Sequence, residues 1–300
     1  MLDRPYELRV RHAAMAWLAA EDPSGSRLFR YEDAAAFTFE GRRIPLMPTQ
    51  QGIRKPAQLS AALSIRTTYT PPGESPPYAD VLGADGLPRY KYRGADPQHY
   101  ENVALREAYR NRLPLIWFYP AASGLYVPIY PVWIVGDEMA DLQFVLAFDQ
   151  AAAILAASGD VDRRQYVERA TKERLHQPVF RAQVLHAYDG SCAICRLRHA
   201  SLLEAAHILP DGHPRGLPVV PNGLSLCKIH HAAYDQNLLG IRPDLVVVVR
   251  GDVLQERDGP MLRHGLQEMD GVALIVPRDR AARPDPSRLE ERWEEFLHAG

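Results

Sequence analysis

Residues 191–212, SCAICRLRHASLLEAAHILPDG, combine a close pair of cysteines with an apolar run that ends in a histidine. Cys192 and Cys195 have the two-residue spacing with which a tight turn directs both thiolates at one zinc ion. Cys227 and His230 repeat this spacing later in the chain, at the start of a predicted helix. Because the two pairs use all three cysteines of the protein, the pattern predicts a Cys3His site for structural zinc rather than free buried thiols.

Four further polar residues lie in or beside the same segments. His207 ends the apolar run, which predicts a buried strand, and Asn222 precedes the second zinc pair. His231 and Asp235 are four residues apart on the predicted helix, so they share one face and could bind a single cation. Taken alone, His207 also fits a core histidine, Asn222 a common turn before glycine, and Asp235 a solvated helix position. His231 could replace His230 at the zinc, but the spacing favours His230.

The order of these residues resembles that of the HNH endonucleases of the ββα-metal class, in particular those with a McrA-like module stapled by zinc. The resemblance rests on Cys-x2-Cys, then AAHI, then NGL-x-LC-x2-HH, and covers about residues 185–245. It implies that His207 is the general base that deprotonates a water for attack on a phosphodiester. It also implies that His231 ligates a catalytic Mg²⁺ or Mn²⁺, and that Asn222 braces the loop that orients His207.

One position departs from the family pattern. Many HNH enzymes have a metal-ligating acid or histidine directly before the general base, where this chain has Ala206. We therefore expect Asp235 to be the compensating ligand of the catalytic cation. Glu204 is the alternative, although strand alternation places it on the face opposite His207 and so argues against it.

Composition sets broad limits on the protein. The chain has 300 residues, of which 46% are hydrophobic and 24% charged, so it can bury a core and is long enough for two domains. A net charge of −2 does not indicate a strongly basic protein. The charged N-terminus lacks the apolar core of a signal peptide, and no run of about 18 apolar residues occurs. We therefore expect a cytoplasmic protein without a membrane segment.

The pattern along the chain predicts an α+β protein in three parts. These are a β-rich N-terminal domain at residues 1–150, a helical linker at 151–188, and a zinc-stapled ββα-metal domain with a C-terminal extension at 189–300. The pattern of the first part is typical of a barrel or sandwich, and the resemblance of residues 89–135 described below implies an SRA- or PUA-like barrel. Helical spacing predicts helices at 5–20 and 99–111. Pro178 is expected to divide the linker into two helices, because proline clashes with the preceding turn.

The N-terminal part carries many aromatic residues, most of which we expect to pack in the core. Residues 89–135 resemble the SRA-type readers of modified bases, with an Asn-x-Ala-Leu helix, a strand, a Gly-Leu-Tyr turn and another strand. The resemblance implies a protein similar to modification-dependent restriction endonucleases, with 5-methylcytosine or a relative as its target. Tyr92, Asp96 and Asn102 are then the candidates for a pocket that holds an extruded base.

Basic residues outside the zinc segment suggest where DNA is contacted. The stretch at 42–66 has five arginines or lysines and no aspartate or glutamate, which suits a polyanion. The candidates for DNA contact are Gln51, Arg54 and Lys55 in this stretch and Arg174 and Arg181 in the linker. A solvated basic loop and a solvated helix are the alternatives, the latter because acids are interspersed in the linker.

The sequence thus predicts an HNH endonuclease that hydrolyses double-stranded DNA with structural Zn²⁺ and catalytic Mg²⁺ or Mn²⁺. The resemblance to modification-dependent enzymes implies that the DNA substrate is methylated. Two alternatives are a zinc-stabilised DNA-binding regulator without cleavage and an HNH nuclease without modification preference. A homodimer would supply the two strand cuts of a double-strand break. The sequence does not identify the modification, the cut position or the preferred metal.

Overall fold

The structure is a computed structural model that describes residues 4–47, 52–70, 83–148, 167, 169 and 171–299, apart from the side chain of Lys172. The chain divides into two compact units, which we call the N-terminal unit (Met1–Val179) and the C-terminal unit (Phe180–Gly300). Every helix within the described ranges is too short or too polar to span a bilayer.

Three α-helices lie in the N-terminal unit before its last strand. They are α1 (Arg4–Glu21), α2 (Tyr31–Ala34) and α3 (Tyr100–Arg110). Helices α1 and α3 confirm the two helices predicted from spacing. Helix α1 buries Val10, Ala14 and Leu18, which recur at intervals of four residues on one face. Glu7 and Arg11 of the same helix are also buried, and they form an ion pair of 3.4 Å.

The N-terminal unit is built on a six-stranded sheet. The strands that the structure describes in this unit are β1 (Thr38–Phe39), β2 (Arg42–Arg43), β3 (Ile53–Arg54), β4 (Ser64–Arg66), β5 (Arg89–Lys91), β6 (Leu115–Ala122), β7 (Leu125–Glu138) and β8 (Gln143–Ala147). Strands β1 and β2 form a separate hairpin, and the sheet has the order β3-β4-β6-β7-β8-β5. Strands β4 and β6 are parallel, and the other neighbours are antiparallel.

The sheet curls until its two edge strands approach each other. The hydroxyl of Tyr90, on edge strand β5, lies 3.0 Å from the carbonyl oxygen of Gly52 and 3.2 Å from that of Arg66, beside the opposite edge. Among the described strands, however, no backbone ladder joins β3 to β5. The described part of the unit is therefore a curled mixed sheet with helices, and the closed barrel of SRA type stays a prediction.

Pro178 does not end a helix, contrary to the prediction. Residues 151–166, 168 and 170 of the expected linker lie outside the described residues, but a π-helical turn at Lys172–His176 leads directly into α4 (Gln177–Ala187). Proline lacks an N–H and its ring crowds the carbonyl four residues earlier. A wider π turn directly before Pro178 changes this hydrogen-bond pattern, which allows the helix to continue.

The C-terminal unit contains two short antiparallel pairs and several helices. These elements are β9 (Leu203–His207), β10 (Gly223–Cys227), α5 (Lys228–Asp235), β11 (Leu239–Ile241), β12 (Val247–Val249), α6 (Gly251–Gln255), α7 (Pro260–Gly265) and α8 (Pro286–His298). The predicted strand that ends at His207 and the helix that begins after Cys227 are both present. Strand β9 pairs with β10 in the register that sets His207 opposite Gly223 and Leu203 opposite Cys227.

Candidate active site and metal centre

The four predicted zinc ligands come together in the C-terminal unit. The three thiol sulfurs and a ring nitrogen of His230 all lie within 4.8 Å of one another. His230 Nδ1 is 3.4 Å from the sulfur of Cys192 and 3.2 Å from that of Cys227, and the sulfurs of Cys195 and Cys227 are 4.0 Å apart. A Cys3His set at such spacing suits a metal ion, and soft thiolates with one imidazole favour zinc.

The surroundings of His230 fit a ligand whose ring is held in place. Its other nitrogen, Nε2, lies 2.7 Å from the carbonyl oxygen of Gly265 at the end of α7. When Nε2 donates to this carbonyl, the lone pair of Nδ1 faces the sulfurs, as in zinc sites whose histidines are oriented by a backbone acceptor. The C-terminal extension therefore contributes to the metal centre through α7.

Proximity within the cluster changes the acidity of its members. Hydrogen bonds from Cys195 and then Cys227 hold the pKa of the Cys192 thiol far below its usual value. Burial lowers the pKa of His230, but hydrogen bonds to Cys192 and Cys227 outweigh it and raise this pKa to about 10. The cluster thus stabilises negative charge on Cys192, and a thiolate is the form that binds a metal, whereas the hydrogen bond with Cys192 raises the pKa of the Cys195 thiol.

His207 ends β9 with its side chain partly exposed, while its neighbours Ala206 and Ile208 are buried. Its ring stacks on Phe180 of α4, with centroids 4.2 Å apart and an interplanar angle of 20°. Gly223, opposite His207, permits this close packing, because a methyl group there would clash with Val184 and lie 2.9 Å from Phe180 Cζ. The imidazole is therefore held in a defined orientation, with Nε2 buried while the residue as a whole is partly exposed.

Asn222 is fully buried and joins the two ends of the loop between β9 and β10. Its Oδ1 accepts from Leu209 N at 3.0 Å, and its Nδ2 donates to the carbonyl of Leu209 at 3.0 Å and to that of Leu217 at 3.1 Å. Its backbone carbonyl accepts from Ile208 N at 2.9 Å. These bonds fix the backbone directly after His207, the position that a loop brace requires.

His231 of α5 lies between two carboxylates. Its Nδ1 is 2.7 Å from Glu204 Oε2, and its Nε2 is 3.3 Å from Asp235 Oδ2. The side chain of Asp235 is 59% exposed and that of Glu204 39%, so both carboxylates are open to solvent. Carboxylate oxygens and an imidazole are suitable ligands for Mg²⁺ or Mn²⁺.

Glu204, the alternative ligand of the sequence analysis, also lies beside His231. Alternation along β9 does place it away from His207, which packs on α4. Glu204 lies instead against His231 of α5, with its Oε2 2.7 Å from His231 Nδ1. A carboxylate three residues before the candidate base was therefore a usable signal once the helix was considered as well as the strand.

A second contact that the sequence did not reveal holds the loop from outside. Glu291 of α8 binds His213 Nε2 at 2.9 Å and Arg215 NH1 at 3.0 Å, and Arg215 also donates to Ser287. The backbone N–H of Asp285 donates to the carbonyl of Pro221 at 2.9 Å. No local pattern indicates this contact, because the partners are far apart in the sequence. Helix α8 thus restrains the same loop that Asn222 restrains from inside.

The three candidates for a base pocket are close together in the N-terminal unit, but two of them are buried. Asn102 is fully buried, accepts from Arg93 N and donates to the carbonyls of Arg93 and Asp96. Tyr92 is also buried; its hydroxyl donates to Asp137 and accepts from Arg106. These contacts give Tyr92 and Asn102 structural roles, so the geometry does not support the prediction that they line a pocket. The side chain of Asp96 is exposed.

The predicted DNA-contacting residues differ in their surroundings. Lys55 and Arg174 are exposed, whereas Gln51 lies outside the described residues. Arg54 is partly buried and donates to the carbonyl of Pro45 at 3.1 Å. Arg181 donates to the carbonyl of Leu203 at 2.6 Å, at the start of β9, so part of its guanidinium positions that strand.

Comparison with known proteins bears on the C-terminal unit. Residues 192–242 match a family described as HNH endonuclease (HNH_2), whereas no curated protein matches the chain. The solved structure of the modification-dependent restriction endonuclease TagI is similar with 20% identity and a TM-score of 0.30, over 82% of this chain and 85% of that one. The type IV phosphorothioation-dependent restriction endonuclease ScoMcrA is similar with 15% identity and a TM-score of 0.28, over 69% of this chain and 54% of that one. The family match identifies an HNH endonuclease domain in the C-terminal unit, and likenesses at these TM-scores identify no substrate.

Proposed function

We propose that this HNH endonuclease domain hydrolyses phosphodiester bonds of double-stranded DNA with a divalent cation, and that cleavage depends on a base modification such as 5-methylcytosine. The observation that carries the proposal is the arrangement on β9, β10 and α5. One strand pair and one helix hold a partly exposed His207, a buried brace at Asn222, and His231 between two carboxylates.

His207 is the proposed general base. An imidazole titrates close to neutral pH, so its neutral form can accept a proton from water under physiological conditions. The water oxygen then forms a bond to phosphorus while the bond from phosphorus to the 3′-oxygen breaks. Stacking on Phe180 and the bonds of Asn222 to Leu209 keep the imidazole in one orientation during this step.

His231 and Asp235 are the proposed ligands of the catalytic Mg²⁺ or Mn²⁺. Glu204 accepts from His231 Nδ1, which directs Nε2 toward Asp235, and metal-binding histidines commonly have such a carboxylate on the other nitrogen. A cation bound there would neutralise developing charge and stabilise the leaving 3′-oxygen. The Cys3His cluster is proposed to bind Zn²⁺ and to act structurally, because four protein ligands leave no position for chemistry.

The N-terminal unit is the proposed reader of the modified base, with an SRA-like sheet. Backbone phosphates carry no base information, so an HNH domain needs another part of the protein for selectivity. Several aromatic side chains of this unit are buried, including Trp117, Phe118 and Tyr126. We assign no pocket residue in this unit, since Tyr92 and Asn102 are buried and hydrogen-bonded.

Two copies of the chain are proposed to act on one duplex, because one HNH site cuts one strand. A reducing compartment such as the cytoplasm suits the protein, because its thiols gather in a metal cluster instead of forming disulfides. Light scattering of the protein with and without a short duplex measures the number of copies that bind.

Digestion of plasmid DNA tests the proposed function. Unmodified and 5-methylcytosine-containing plasmids are incubated with the wild-type protein, His207→Ala and the control His298→Ala, which changes an exposed histidine at the end of α8. With Mg²⁺ or Mn²⁺ we expect the wild type and the control to cut the modified plasmid. His207→Ala should cut about 10² to 10⁴ times more slowly while still binding DNA.

The outcomes separate the parts of the proposal. Intact DNA with the wild type in every metal contradicts DNA cleavage. Equal cutting of both plasmids contradicts dependence on the modification and leaves a nuclease without that preference. Full activity of His207→Ala contradicts its role as the base.

A further inference from the structure

The turn that carries the first zinc pair presents two arginines to solvent. Arg196 and Arg198 follow Cys195 directly, and both are exposed. The surrounding stretch, residues 190–203, contains no aspartate or glutamate. Neither guanidinium forms an ion pair with any residue that the structure describes. The turn therefore presents two guanidinium groups that are in no ion pair with a described carboxylate.

The backbone of Arg196 adopts a conformation that is uncommon for a long side chain, as it does at six other described non-glycine residues. Arg196 has φ of 63°, in the left-handed region that glycine and asparagine adopt more easily than other residues. Its N–H donates to the carbonyl of Cys192 at 3.0 Å, and Cys192 N donates to the carbonyl of Leu197 at 2.9 Å, so the turn is fixed in this conformation. A long cationic residue here costs stability that glycine would not, and such cost concentrates at functional positions.

The turn is connected rigidly to the strand of the candidate active site. A 3-10 turn at Ala200–Leu202 leads from it into β9, which ends at His207. Arg181 binds the carbonyls at both ends of this connection, those of Ala200 and Leu203. A phosphate held by the turn would therefore have a fixed position relative to β9.

We propose that Arg196 and Arg198 form a contact surface for the phosphate backbone of DNA. Some arginines of the unit are paired with carboxylates, as Arg242 is with Asp244 and Arg250 with Asp252. Arg257, Arg280 and Arg283 are exposed and, like Arg196 and Arg198, are in no ion pair with the described residues, but only Arg196 and Arg198 lie in the turn that leads into β9. A paired guanidinium has less charge available for a polyanion, whereas Arg196 and Arg198 keep theirs. The inference rests on the proposed function, since it requires that the C-terminal unit acts on DNA.

This surface predicts a specific kind of binding. Contacts to phosphate release counterions, so the binding constant K falls as the salt concentration rises. Each contact makes the slope of log K against log salt steeper, that is, more negative, by about 0.9 for duplex DNA. They carry no base information, so the contribution is the same on modified and unmodified DNA. A role in reading the base would instead differ between the two.

The test measures binding of a short duplex, modified or unmodified, at several NaCl concentrations. All proteins carry His207→Ala so that the DNA stays intact. The parent is compared with Arg196→Ala/Arg198→Ala and with the control Arg242→Ala/Arg250→Ala, which removes two paired arginines. We expect the first pair of substitutions to make the salt slope shallower by about two on both duplexes. The control should keep the slope and affinity of the parent.

Two further variants exclude a purely structural effect. Arg196→Gly suits the left-handed backbone, so it should retain zinc and an unchanged or higher unfolding midpoint while the salt slope becomes shallower by about one. Arg196→Lys/Arg198→Lys should restore most of the slope, because lysine binds phosphate as a point charge.

If the parent binds DNA and the double alanine variant matches the control, the inference is overturned and the proposed function stands. Loss of zinc in the double alanine variant without recovery in the lysine variant would also overturn it, since the arginines would then be structural. If the parent binds neither duplex, the proposed function itself fails.

Discussion

The two units differ in how their polar side chains are used. In the N-terminal unit, Glu7, Arg11 and Asn102 are buried and hydrogen-bonded to other parts of that unit. In the C-terminal unit, His207 and His231 remain partly exposed and lie on elements joined to a metal-binding cluster. A buried and fully bonded polar group contributes to the fold, whereas a positioned and accessible one is available for chemistry. Candidate residues are therefore better judged by their remaining exposure than by residue type.

The largest effect should come from loss of the metal centre. His230→Gln removes one of four ligands, and since metal binding in such a unit supplies folding free energy, we expect loss of zinc and of ordered structure in the C-terminal unit. Zinc content per chain and hydrogen exchange of the C-terminal unit measure this. His199→Gln, an exposed histidine in the same segment, is the control and should retain zinc. If the amides of the C-terminal unit stay protected from hydrogen exchange in a variant that has lost zinc, the metal centre does not stabilise that unit.

The next effect concerns the buried ion pair of the N-terminal unit. Glu7→Gln leaves the guanidinium of Arg11 buried with an uncompensated charge, which should cost about 3–5 kcal/mol of unfolding free energy. The Trp293→Phe background leaves only Trp17, Trp117 and Trp133, all in the N-terminal unit, so fluorescence during urea unfolding reports that unit alone.

The control for this substitution is Glu40→Gln, which removes a solvent-exposed pair with Arg9 and should cost less than about 1 kcal/mol. Zinc content should stay the same in both variants. Equal losses from the two substitutions would show that burial does not distinguish the two pairs.

A smaller effect is expected where helix α4 meets β10. Gly223→Ala places a methyl group against Val184 and Phe180, which should cost about 1–3 kcal/mol. Since Phe180 stacks on His207, cleavage should also slow, by up to about 10²-fold if the imidazole moves. Gly212→Ala, where a methyl group meets nothing within 4 Å, is the control for both measurements. Wild-type stability and cleavage in Gly223→Ala would contradict the close packing.

The smallest effect is a pH dependence in the N-terminal unit. Burial raises the pKa of Asp85, but hydrogen bonds from Arg89 outweigh it, and Arg89 also lowers the pKa of Glu138. A folded pKa below the unfolded value near 4 means that this stabilisation is present above about pH 4 and is lost as pH falls through the folded pKa.

Urea unfolding at pH 5 and pH 3 in the Trp293→Phe background measures this dependence. Arg89→Met should reduce the loss of stability between these values by less than about 1 kcal/mol, because both carboxylates are partly exposed. Arg110→Met, which removes an exposed pair with Glu107, should leave the loss unchanged. A steeper loss in Arg89→Met would contradict the assigned pKa directions.

Local patterns predicted much of the C-terminal unit. The spacing of the cysteines predicted the cluster, and the apolar run that ends at His207 predicted β9. The cluster and the strand depend on short-range geometry, namely a turn between two ligands and alternation along a strand. Patterns failed where partners are distant in sequence, as with Glu204 and His231, or Glu291 and His213. They also failed at Pro178, where a π turn compensates for the missing hydrogen bond.

The sequence by itself determined the donor set of the metal centre, the order of the HNH residues and the positions of the main helices and strands. Each of these depends on residues that are neighbours along the chain or repeat with a fixed period. Only the tertiary structure decided which carboxylates flank His231, which helix restrains the loop after His207, and that Tyr92 and Asn102 are enclosed. The physical reason is that burial and pairing of a polar side chain depend on what packs against it from elsewhere in the fold, and no local pattern encodes that.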